Sequence, residues 1–311
     1  MRILVAGASG LVGSALLRVA RSDGDEVVRL VRRETLPATR MPDAEKLPDD
    51  AIVWDPANGR PPDLGSVEPF DAVVNLAGAG IGDHRWSDAY KQTLVDSRVA
   101  STDLLARTIA AFDAKPEVFL SGSAVGYYGD TGETEVDENS PAGTDFLAHL
   151  ASSWERAAAP AADAGIRTVS LRTGIVMSTK GGALGKVLPL FRAGLGGRLG
   201  SGRQYISWIA RPDHVAAARF LLSAQHISGA VNLTAPNPVT NSAYTKAIAA
   251  AVRRPAWAFV PPMALRLALG EFADSVLGGQ RVLPNRLLDA GFEFGYPTIE
   301  GALRSLVEAN A

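Results

Sequence analysis

Residues 1–20 read MRILVAGASGLVGSALLRVA, and this stretch decides the fold. A short apolar run leads into Gly7, Gly10 and Gly13, which are spaced G-x-x-G-x-x-G, and a pattern of helical period follows. Because glycine has no Cβ atom, such a turn can bring its backbone against a phosphate, to which the next helix presents free N–H groups. A strand, a glycine turn and a helix in this order predict a binding site for the pyrophosphate of a dinucleotide. The alternative is a strand-to-helix turn without a ligand.

Composition limits the class of protein. Of the 311 residues 47% are hydrophobic, which is enough for one large core or two smaller ones. The formal net charge is −2, and a balance this close to neutral argues against nucleic acid or an anionic membrane as the main partner. The chain has no cysteine, which excludes disulfides and is typical of a reducing compartment. With no leader-like N-terminus and no apolar run of roughly 18 residues, the sequence predicts a soluble, cytoplasmic protein.

Short β-branched runs alternate with helical patterns through the first two-thirds of the chain. This alternation predicts an α/β fold in which a doubly wound parallel sheet has helices on both faces. The predicted strands are residues 2–6, 26–31, 51–54, 72–76, 118–121, 167–171 and 231–233. The predicted helices are residues 12–21, 90–111, 146–164, 241–252, 262–277, 284–290 and 299–308. Residues 33–48 are predicted to form an exposed loop, and residues 181–204 a loop-helix-loop excursion from the sheet.

The end of the second predicted strand distinguishes NAD from NADP. An NAD site usually has an Asp or Glu roughly 20 residues beyond the glycines, where it accepts a hydrogen bond from the ribose 2′-OH. Here the strand ends in LVRRE, and Arg32 and Arg33 occupy the place of the acid. A guanidinium binds a 2′-phosphate through paired, charge-assisted hydrogen bonds, so these residues favour NADP over NAD. The alternative is a pair of solvated arginines on a loop.

Further runs extend the pattern over the whole chain. Together with the glycine turn, NLAG (75–78), SGSAVGYYG (121–129) and LRTG (171–174) resemble the extended short-chain dehydrogenases/reductases, which include nucleotide-sugar epimerases and dehydratases. A narrower resemblance is to the subgroup called the epimerase family, or sugar-nucleotide epimerase-like proteins, whose C-terminal segment has no known function. The runs that carry it are DFLAHLASSWE (145–155), GLGGRLGSGRQYISWI (194–209), VNLTAPNPVTN (231–241), LGE (269–271) and GFEFGYP (291–297).

The resemblance implies a Rossmann-type domain at residues 1–176 with a returning strand near 229–234, and a smaller, mostly helical domain at 177–228 and 235–311. It implies nicotinamide hydride chemistry on a small molecule, a nucleotide-linked sugar among the candidates, by a monomer or homodimer. The cofactor residues that it implies are Gly7, Ser9, Gly10, Leu11, Val12, Gly13, Arg32, Leu76, Ala77, Gly78, Arg98 and Val176. For Arg98 the alternative is a helix-surface arginine paired with Asp96 or Asp103.

One part of the superfamily pattern is missing. A Tyr and a Lys four residues later usually share a helix face, where the cation lowers the phenol pKa from about 10 so that it exchanges a proton near neutrality. This helix is expected within residues 143–155, which contain neither Tyr nor Lys, and no tyrosine of the chain has Lys at the fourth position after it. Ser123 lies at or near the position of the serine that orients the substrate, and Ser123 and Tyr127 are the candidate catalytic residues.

Three accounts of the missing pair stay open. Another group could supply the proton: Tyr127 or Tyr128 beside Ser123, His149 on the same helix, or Asp145. Water could be the proton source for a simple reduction. The third account is a protein that binds NADP without turnover and acts as a regulatory or interaction protein.

The run GSGRQYISWI predicts a wall on the substrate side, with Arg203 as an anion contact and Tyr205 beside it. The alternative is a strand that enters the core with its aromatic residues buried. The subgroup usually continues WIH-x-DD, but this chain has Ala210 and Pro212 at the expected His and first Asp. Residues 270–297 are expected to be structural, with a packed strand after Gly291. No residue cluster has the spacing of a metal site or of a Ser, His and Asp triad.

Overall fold

The computed structural model describes residues 1–32, 50–64 and 69–309, so Arg33 and the predicted loop at 33–48 lie outside the described residues. The first half contains β1 (Arg2–Ala6), α1 (Gly13–Ser22), β2 (Glu26–Arg32), β3 (Ala51–Trp54), β4 (Ala72–Asn75), α2 (Asp88–Asp96), α3 (Val99–Ala110), β5 (Val118–Ala124), β6 (Glu135–Val136), α4 (Phe146–Arg156) and α5 (Ala159–Asp163). The second half contains β7 (Arg167–Thr173), β8 (Ile175–Met177), α6 (Gly182–Arg192), β9 (Gly197–Leu199), β10 (Tyr205–Ile206), β11 (Trp208–Ala210), α7 (Arg211–Ser223), β12 (Gly229–Leu233), β13 (Val239–Thr240), α8 (Asn241–Val252), β14 (Ala258–Val260), α9 (Pro262–Leu269), α10 (Phe272–Leu277), β15 (Arg281–Val282), α11 (Asn285–Asp289) and α12 (Ile299–Glu308).

Seven parallel strands form the central sheet in the order β12-β7-β5-β4-β1-β2-β3. The order reverses between β1 and β4, and the flanking helices lie on both faces, so the predicted doubly wound α/β fold is confirmed. In such sheets a ligand binds beside the carboxyl ends of the strands where the order reverses. The fold therefore places the glycine turn, which follows β1, and the NLAG run, which ends β4, at the same crevice.

Both faces of the sheet are covered, which explains why its strands are almost continuously apolar. On one face the side chains of Ile3 and Val5 pack against α1 and α7, with Leu16 and Leu221 among the fully buried contacts. On the other face Leu4 packs into the core formed with α3 and α5. Helix α7 thus packs against the same core as α1, although it follows the glycine-rich excursion in sequence.

A separate core supports the C-terminal helical region. Met177, Leu184 and Trp208 from β8, α6 and β11 pack there against Ile248 of α8 and Leu303 of α12. All five side chains are fully buried. The predicted mostly helical C-terminal region is therefore present, and its core is built jointly with the excursion at α6.

Three predicted helices are each divided in two. The helix at 90–111 breaks at Ser97, whose hydroxyl accepts a hydrogen bond from the backbone N–H of Ala79 on the neighbouring segment. The helix at 146–164 breaks before α5, which has Pro160 in its first turn. The helix at 262–277 ends at Gly270, whose φ of +62° is the left-handed conformation that glycine favours.

The prediction of a packed strand after Gly291 is wrong. Phe292 and Phe294 lie edge to face, with ring centroids 4.9 Å apart, and Phe292 packs into the sheet core without joining a strand. The next backbone N–H groups, of Gly295 and Tyr296, donate to the carboxylate of Asp213 at 3.0 and 2.9 Å. A side chain thus satisfies donors that a strand would have paired with a neighbouring backbone.

Candidate cofactor site and active site

The glycine turn is a tight cradle in which two positions have no room for a side chain. Gly7 has a φ of +78°, and a Cβ atom there would lie 2.5 Å from the carbonyl carbon of Leu76. A Cβ atom on Gly13 would lie 2.2 Å from the carbonyl oxygen of Gly7. The N–H of Gly10 closes the turn by donating to that same oxygen at 3.0 Å. The three glycines therefore allow the turn to pack directly against the end of β4.

The N-terminus of α1 is open to an anion. The helix has no side-chain cap at Val12 and no acidic residue in its first turn. Throughout the described chain, no group accepts a hydrogen bond from the backbone N–H of Leu11 or Val12. Unpaired N–H groups and the helix dipole favour a phosphate at this position. The turn therefore fits the pyrophosphate that the sequence predicts here.

The segment after β4 is fixed beside this turn. The N–H of Leu76 donates to the carbonyl of Ala6 at 2.9 Å, which extends the pairing of β4 with β1 by one residue. The N–H of Ala77 donates to Oδ1 of Asn75 at 3.1 Å, and Nδ2 of the same buried asparagine donates to Thr102. The structure thus brings the predicted Leu76–Ala77 contact and the glycine turn together.

Arg98 is a buried cation under the same segment. Its residue is 9% exposed, and its guanidinium donates to the carbonyl oxygens of Ala79 at 2.7 Å and Leu94 at 3.2 Å. Burial lowers its pKa to about 10. A Cβ atom on Gly78 would lie 3.3 Å from the guanidinium carbon, so this cation lies directly against the predicted cofactor segment.

The alternative interpretation, in which Arg98 lies on the helix surface and pairs with Asp96 or Asp103, is wrong. Asp103 pairs with Arg107 instead, and Asp96 accepts from the side chain of Gln92. Within the described ranges no carboxylate pairs with Arg98, and its acceptors are neutral carbonyl groups. A desolvated guanidinium that lacks a counter-ion is best satisfied by an anionic ligand.

The remaining predicted cofactor residues surround the turn. Ser9 is exposed within it, and Arg32 is exposed at the carboxyl end of β2, the strand next to β1. The side chain of Leu11 lies against the start of α6, because a Cβ atom on Gly182 would be 3.2 Å from it and 3.5 Å from the carbonyl oxygen of Val176. Val176 in β8 is therefore connected to the glycine turn through the start of α6.

The candidate catalytic serine belongs to a buried polar network. Ser123 is 4% exposed and donates its hydroxyl proton to Glu155 of α4 at 2.7 Å. Arg172 of β7 binds the same carboxylate through two hydrogen bonds of 2.7 and 2.9 Å. Burial lowers the pKa of Arg172, but the hydrogen bonds and charge of Glu155 outweigh burial and raise it above the ordinary value.

The two neighbouring tyrosines have different surroundings. The guanidinium carbon of Arg172 lies 3.4 Å from the ring centroid of Tyr127, whose hydroxyl makes no hydrogen bond within the described part of the chain. Tyr128 is 3% exposed; its hydroxyl donates to Asn232 at 2.8 Å and accepts from Arg172 at 3.0 Å. Burial raises the pKa of Tyr128 to about 12. Of the two phenols, that of Tyr127 is therefore the one available to a ligand.

The other proton-donor candidates lie apart from this network. Asp145 is the N-cap of α4, where its carboxylate accepts from the N–H of Ala148 at 2.8 Å. His149 is solvent-exposed on the same helix. In α4 the positions one and two turns before Glu155 are Ala151 and Leu147, which cannot transfer a proton.

On the predicted substrate side, Arg203 is exposed, and its own backbone N–H donates to Ser201 at 3.2 Å. Tyr205 is half-buried with the guanidinium of Arg281 5.1 Å from its ring centroid. Trp208 is fully buried, as the core-strand alternative requires. Ala210 and Pro212, which replace the expected His and Asp, lie in β11 and the first turn of α7.

Several contacts were not foreseen from the sequence. Lys186 of α6 donates to the carbonyl of Gly82 at 2.8 Å and pairs with Asp83 at 3.1 Å. Lys91 of α2 pairs with Glu271 next to α10. These bonds connect the part of the chain after β4 to α6 and to the C-terminal helices. Of the residues that make them, only Glu271 lies in a run that carries the family resemblance, LGE. Within residues 1–32, 50–64 and 69–309, no group of acidic and histidine side chains could hold a metal ion.

The fold and this crevice define a Rossmann-type protein, and comparison with known proteins identifies its family. The sequence pattern of the NAD dependent epimerase/dehydratase family matches residues 3–233, and that of a domain of unknown function matches residues 260–306. The chain therefore belongs to the NAD dependent epimerase/dehydratase family.

Its relatives extend over the whole chain. An epimerase family protein of Mycobacterium tuberculosis is 46% identical over 302 residues, 97% of this chain and 96% of that protein. Human epimerase family protein SDR39U1 is 34% identical, covering 99% of this chain and 100% of that protein. Its crystal structure with NADPH has a TM-score of 0.88 and 32% identity over 99% of each chain. The Thermus thermophilus UDP-glucose 4-epimerase, 19% identical over 99% of this chain and 98% of its own with a TM-score of 0.72, shares the fold.

Proposed function

We propose that this protein binds NADP(H) across the carboxyl ends of β1 and β4 and uses it for hydride transfer with a small hydroxyl- or carbonyl-bearing substrate, a nucleotide-linked sugar among the candidates. The observation that carries the proposal is the cradle at Gly7 and Gly13, where a Cβ atom has no room and the N–H groups of Leu11 and Val12 have no acceptor in the described structure. The buried cation of Arg98 supports it, because its position against Gly78 suits a cofactor phosphate.

The preference for NADP rests on Arg32. This arginine ends β2, one strand from the cradle, at the position where an NAD site has an acid. A relative 34% identical to this chain, human SDR39U1, has been solved with NADPH. A 2′-phosphate near Arg32 would gain a charge-assisted hydrogen bond that a 2′-hydroxyl cannot match.

When bound, the nicotinamide supplies the hydride acceptor or donor, and the side chains of β5 and the turn after it would orient the substrate and handle the proton. Because the hydroxyl of Ser123 donates its hydrogen bond to Glu155, its oxygen can only accept a further hydrogen bond, which suits a substrate hydroxyl. Tyr127 is the proposed partner for proton exchange, since Tyr128 is tied to Asn232 and Arg172. This arrangement would work without the Tyr-x-x-x-Lys pair, which the sequence lacks.

A protein that binds NADP without turnover is the second candidate. It is favoured by the burial of Ser123 and by the absence of a Tyr-x-x-x-Lys pair anywhere in the sequence. In this case Ser123, Glu155 and Arg172 would only stabilise the packing of α4 on the sheet. Both candidates require the same cofactor cradle, and they differ in whether the bound cofactor is ever oxidised or reduced.

Two titrations and one kinetic assay test the proposal. NADPH is expected to bind more tightly than NADH, and R32Q should weaken NADPH binding about tenfold or more while leaving NADH unchanged. R304Q removes an exposed arginine of α12, outside the strands that carry the cradle and Arg32, and is the matched control. If R32Q binds NADPH as tightly as the parent protein, the assignment of the 2′-phosphate is wrong.

The kinetic assay follows NADPH absorbance with sugar-nucleotide, aldehyde and quinone substrates. Y127F is expected to bind NADPH normally but to slow turnover by about 10²-fold or more, the ordinary contribution of a general acid. Y296F, which removes a hydroxyl bonded to Ser305 of α12 and outside this network, is the matched control. Equal turnover of Y127F and the parent would remove Tyr127 from the chemistry, and NADPH binding with no turnover of any substrate would favour the second candidate.

A further inference from the structure

Charge is distributed very unevenly along this chain. Residues 164–270 contain thirteen lysines and arginines and a single acid, Asp213, whereas the rest of the chain carries 18 basic and 32 acidic residues. The formal net charge of −2 is therefore an average over a strongly basic segment and a strongly acidic remainder. Four of these cations, Arg172, Lys186, Arg219 and Arg266, pair with acids outside the segment, so its excess of positive charge resides in the others.

The same segment presents an exposed apolar face, which consists of Leu190, Leu195, Trp257, Phe259, Met263 and Leu267. Trp257 is 84% exposed, Met263 79% and Leu267 78%. Six of the eleven large hydrophobic side chains that are exposed in the described chain lie on this face. Exposed apolar side chains concentrated in one part of a protein are characteristic of an interaction surface.

The backbone joins these side chains into one surface. Strand β14 pairs with β9, which sets Phe259 opposite Arg198, and the N–H of Ala258 donates to the carbonyl of Gly196 at 3.2 Å. Leu195 and Trp257 therefore flank the same strand pair, and the N–H of Leu195 donates to the carbonyl of Leu190 at 2.9 Å. Helix α9 begins two residues after β14, and Met263 and Leu267 are one turn apart along it, so they share a face.

Arginines surround the apolar face. Arg192, Arg198 and Arg254 are exposed, and the guanidinium carbon of Arg198 lies 4.9 Å from the ring centroid of Phe259. No acid occurs in residues 183–204 or 251–270; the two acids that follow α9 are paired, Glu271 with Lys91 and Asp274 with Arg266. The surface therefore combines apolar groups that avoid water with positive charges that seek an anionic partner.

We propose that the apolar face docks on the surface of an anionic phospholipid bilayer. Aromatic and aliphatic side chains enter the interface between headgroups and acyl chains, while the surrounding arginines bind lipid phosphates. A second copy fits less well, because a two-fold contact sets this face against itself and would oppose arginines with arginines. No helix in the described ranges is long and apolar enough to cross a membrane, so the proposed contact is with its surface. The net charge, which argues against an anionic membrane as the main partner, averages over the whole chain and does not test a local surface.

Tryptophan fluorescence offers a direct probe of the docking. Trp257 is 84% exposed, whereas the other four tryptophans, Trp54, Trp86, Trp154 and Trp208, are at most 9% exposed. Vesicles of phosphatidylglycerol and phosphatidylcholine in equal amounts should shift the emission of the full-length protein to shorter wavelength. W257F should lose this shift and still sediment with the vesicles. A parent protein whose emission does not change with these vesicles would overturn the proposal.

Co-sedimentation with the same vesicles measures the affinity. Binding should be strong with the anionic vesicles, weak with phosphatidylcholine alone, and reduced by salt. M263S/L267S should bind about tenfold or more weakly, and L288S, which alters an exposed leucine outside the face, should bind as the parent does. R192Q/R254Q should lose about fivefold for each arginine, whereas R18Q/R304Q should lose little.

The folded state of M263S/L267S is checked by its thermal midpoint, which should equal that of the parent because both side chains are exposed. Three results would overturn the proposal: no binding to anionic vesicles, equal binding of M263S/L267S and the parent, or a dimer in sedimentation equilibrium that M263S/L267S abolishes. The last result would identify a second copy of the chain as the partner.

Discussion

Replacement of Gly13 by alanine tests the cradle most sharply, because two effects of the same methyl group oppose each other. Gly13 is the first residue of α1, and alanine at a helical position usually stabilises a protein by up to about 1 kcal/mol relative to glycine. Here the new Cβ atom would lie 2.2 Å from the carbonyl oxygen of Gly7. A Cβ atom almost never lies within 3.0 Å of such a neighbour, so the turn or the helix must move by about 0.8 Å or more.

The expected change in stability is the difference between the cost of the steric overlap and the gain in helix propensity. Overpacking of this kind costs about 1–3 kcal/mol, which exceeds the gain in helix propensity. We expect the free energy of unfolding of G13A to fall by about 1–2 kcal/mol. Because the movement displaces the N–H groups of Leu11 and Val12, NADPH affinity should fall at least about tenfold.

A graded series keeps this test independent of gross misfolding. In G10A the new atom would lie 3.3 Å from the carbonyl oxygen of Gly7, which predicts a smaller loss than in G13A. Gly185 of α6 has no atom closer than 3.6 Å to the added Cβ, so G185A should be neutral or slightly stabilising with unchanged NADPH affinity. Denaturant unfolding and NADPH titration give both quantities for each variant. If G13A is as stable as G185A and binds NADPH equally well, the cradle geometry is wrong.

Two further predictions concern buried ionisable groups. R98M should weaken NADPH binding by about 10- to 100-fold, because hydrogen bonds to a charged group contribute about 1.5–3 kcal/mol; R107M on the adjacent helix is the exposed control, and equal loss in both would argue against a role for Arg98. Tyr128 has an ordinary pKa of 10.0 in the unfolded chain and about 12 when folded, so its contribution to stability is complete below pH 10 and is lost as the pH rises through 12. The loss is about 2–3 kcal/mol, and alkaline denaturant unfolding of Y128F should lack it; parallel pH profiles for Y128F and the parent would contradict the burial of this phenol.

The sheet was predictable because each of its strands is a short apolar run between turn residues. Strands β1 and β3 begin and end where the sequence predicts, since Gly7 and Asp55 follow them directly. The Gly7 turn was predictable for the same local reason. The helix breaks at Ser97 and Gly270 were not, because they depend on contacts with Ala79 and Arg85 from distant parts of the chain.

The candidate site was predictable only where one local segment forms it. The need for glycine at positions 7, 10 and 13 comes from neighbouring atoms within the same turn and at the end of the strand beside it. The hydrogen bonding of Ser123 instead depends on Glu155, 32 residues away, and on Arg172, which binds the same carboxylate. The sequence contains both residues within the runs WE and LRTG, but nothing in their spacing shows that the two strands and α4 bring them together. The burial of Arg98 likewise follows from the packing of Trp154 against it.

The position of bound NADPH tests the central claim most directly. A crystal structure of the full chain grown with NADPH should show the diphosphate over residues 7–13, the 2′-phosphate near Arg32, and the nicotinamide between Val176 and Tyr127. No density in this crevice at millimolar NADPH, or a cofactor bound elsewhere on the molecule, would contradict the account.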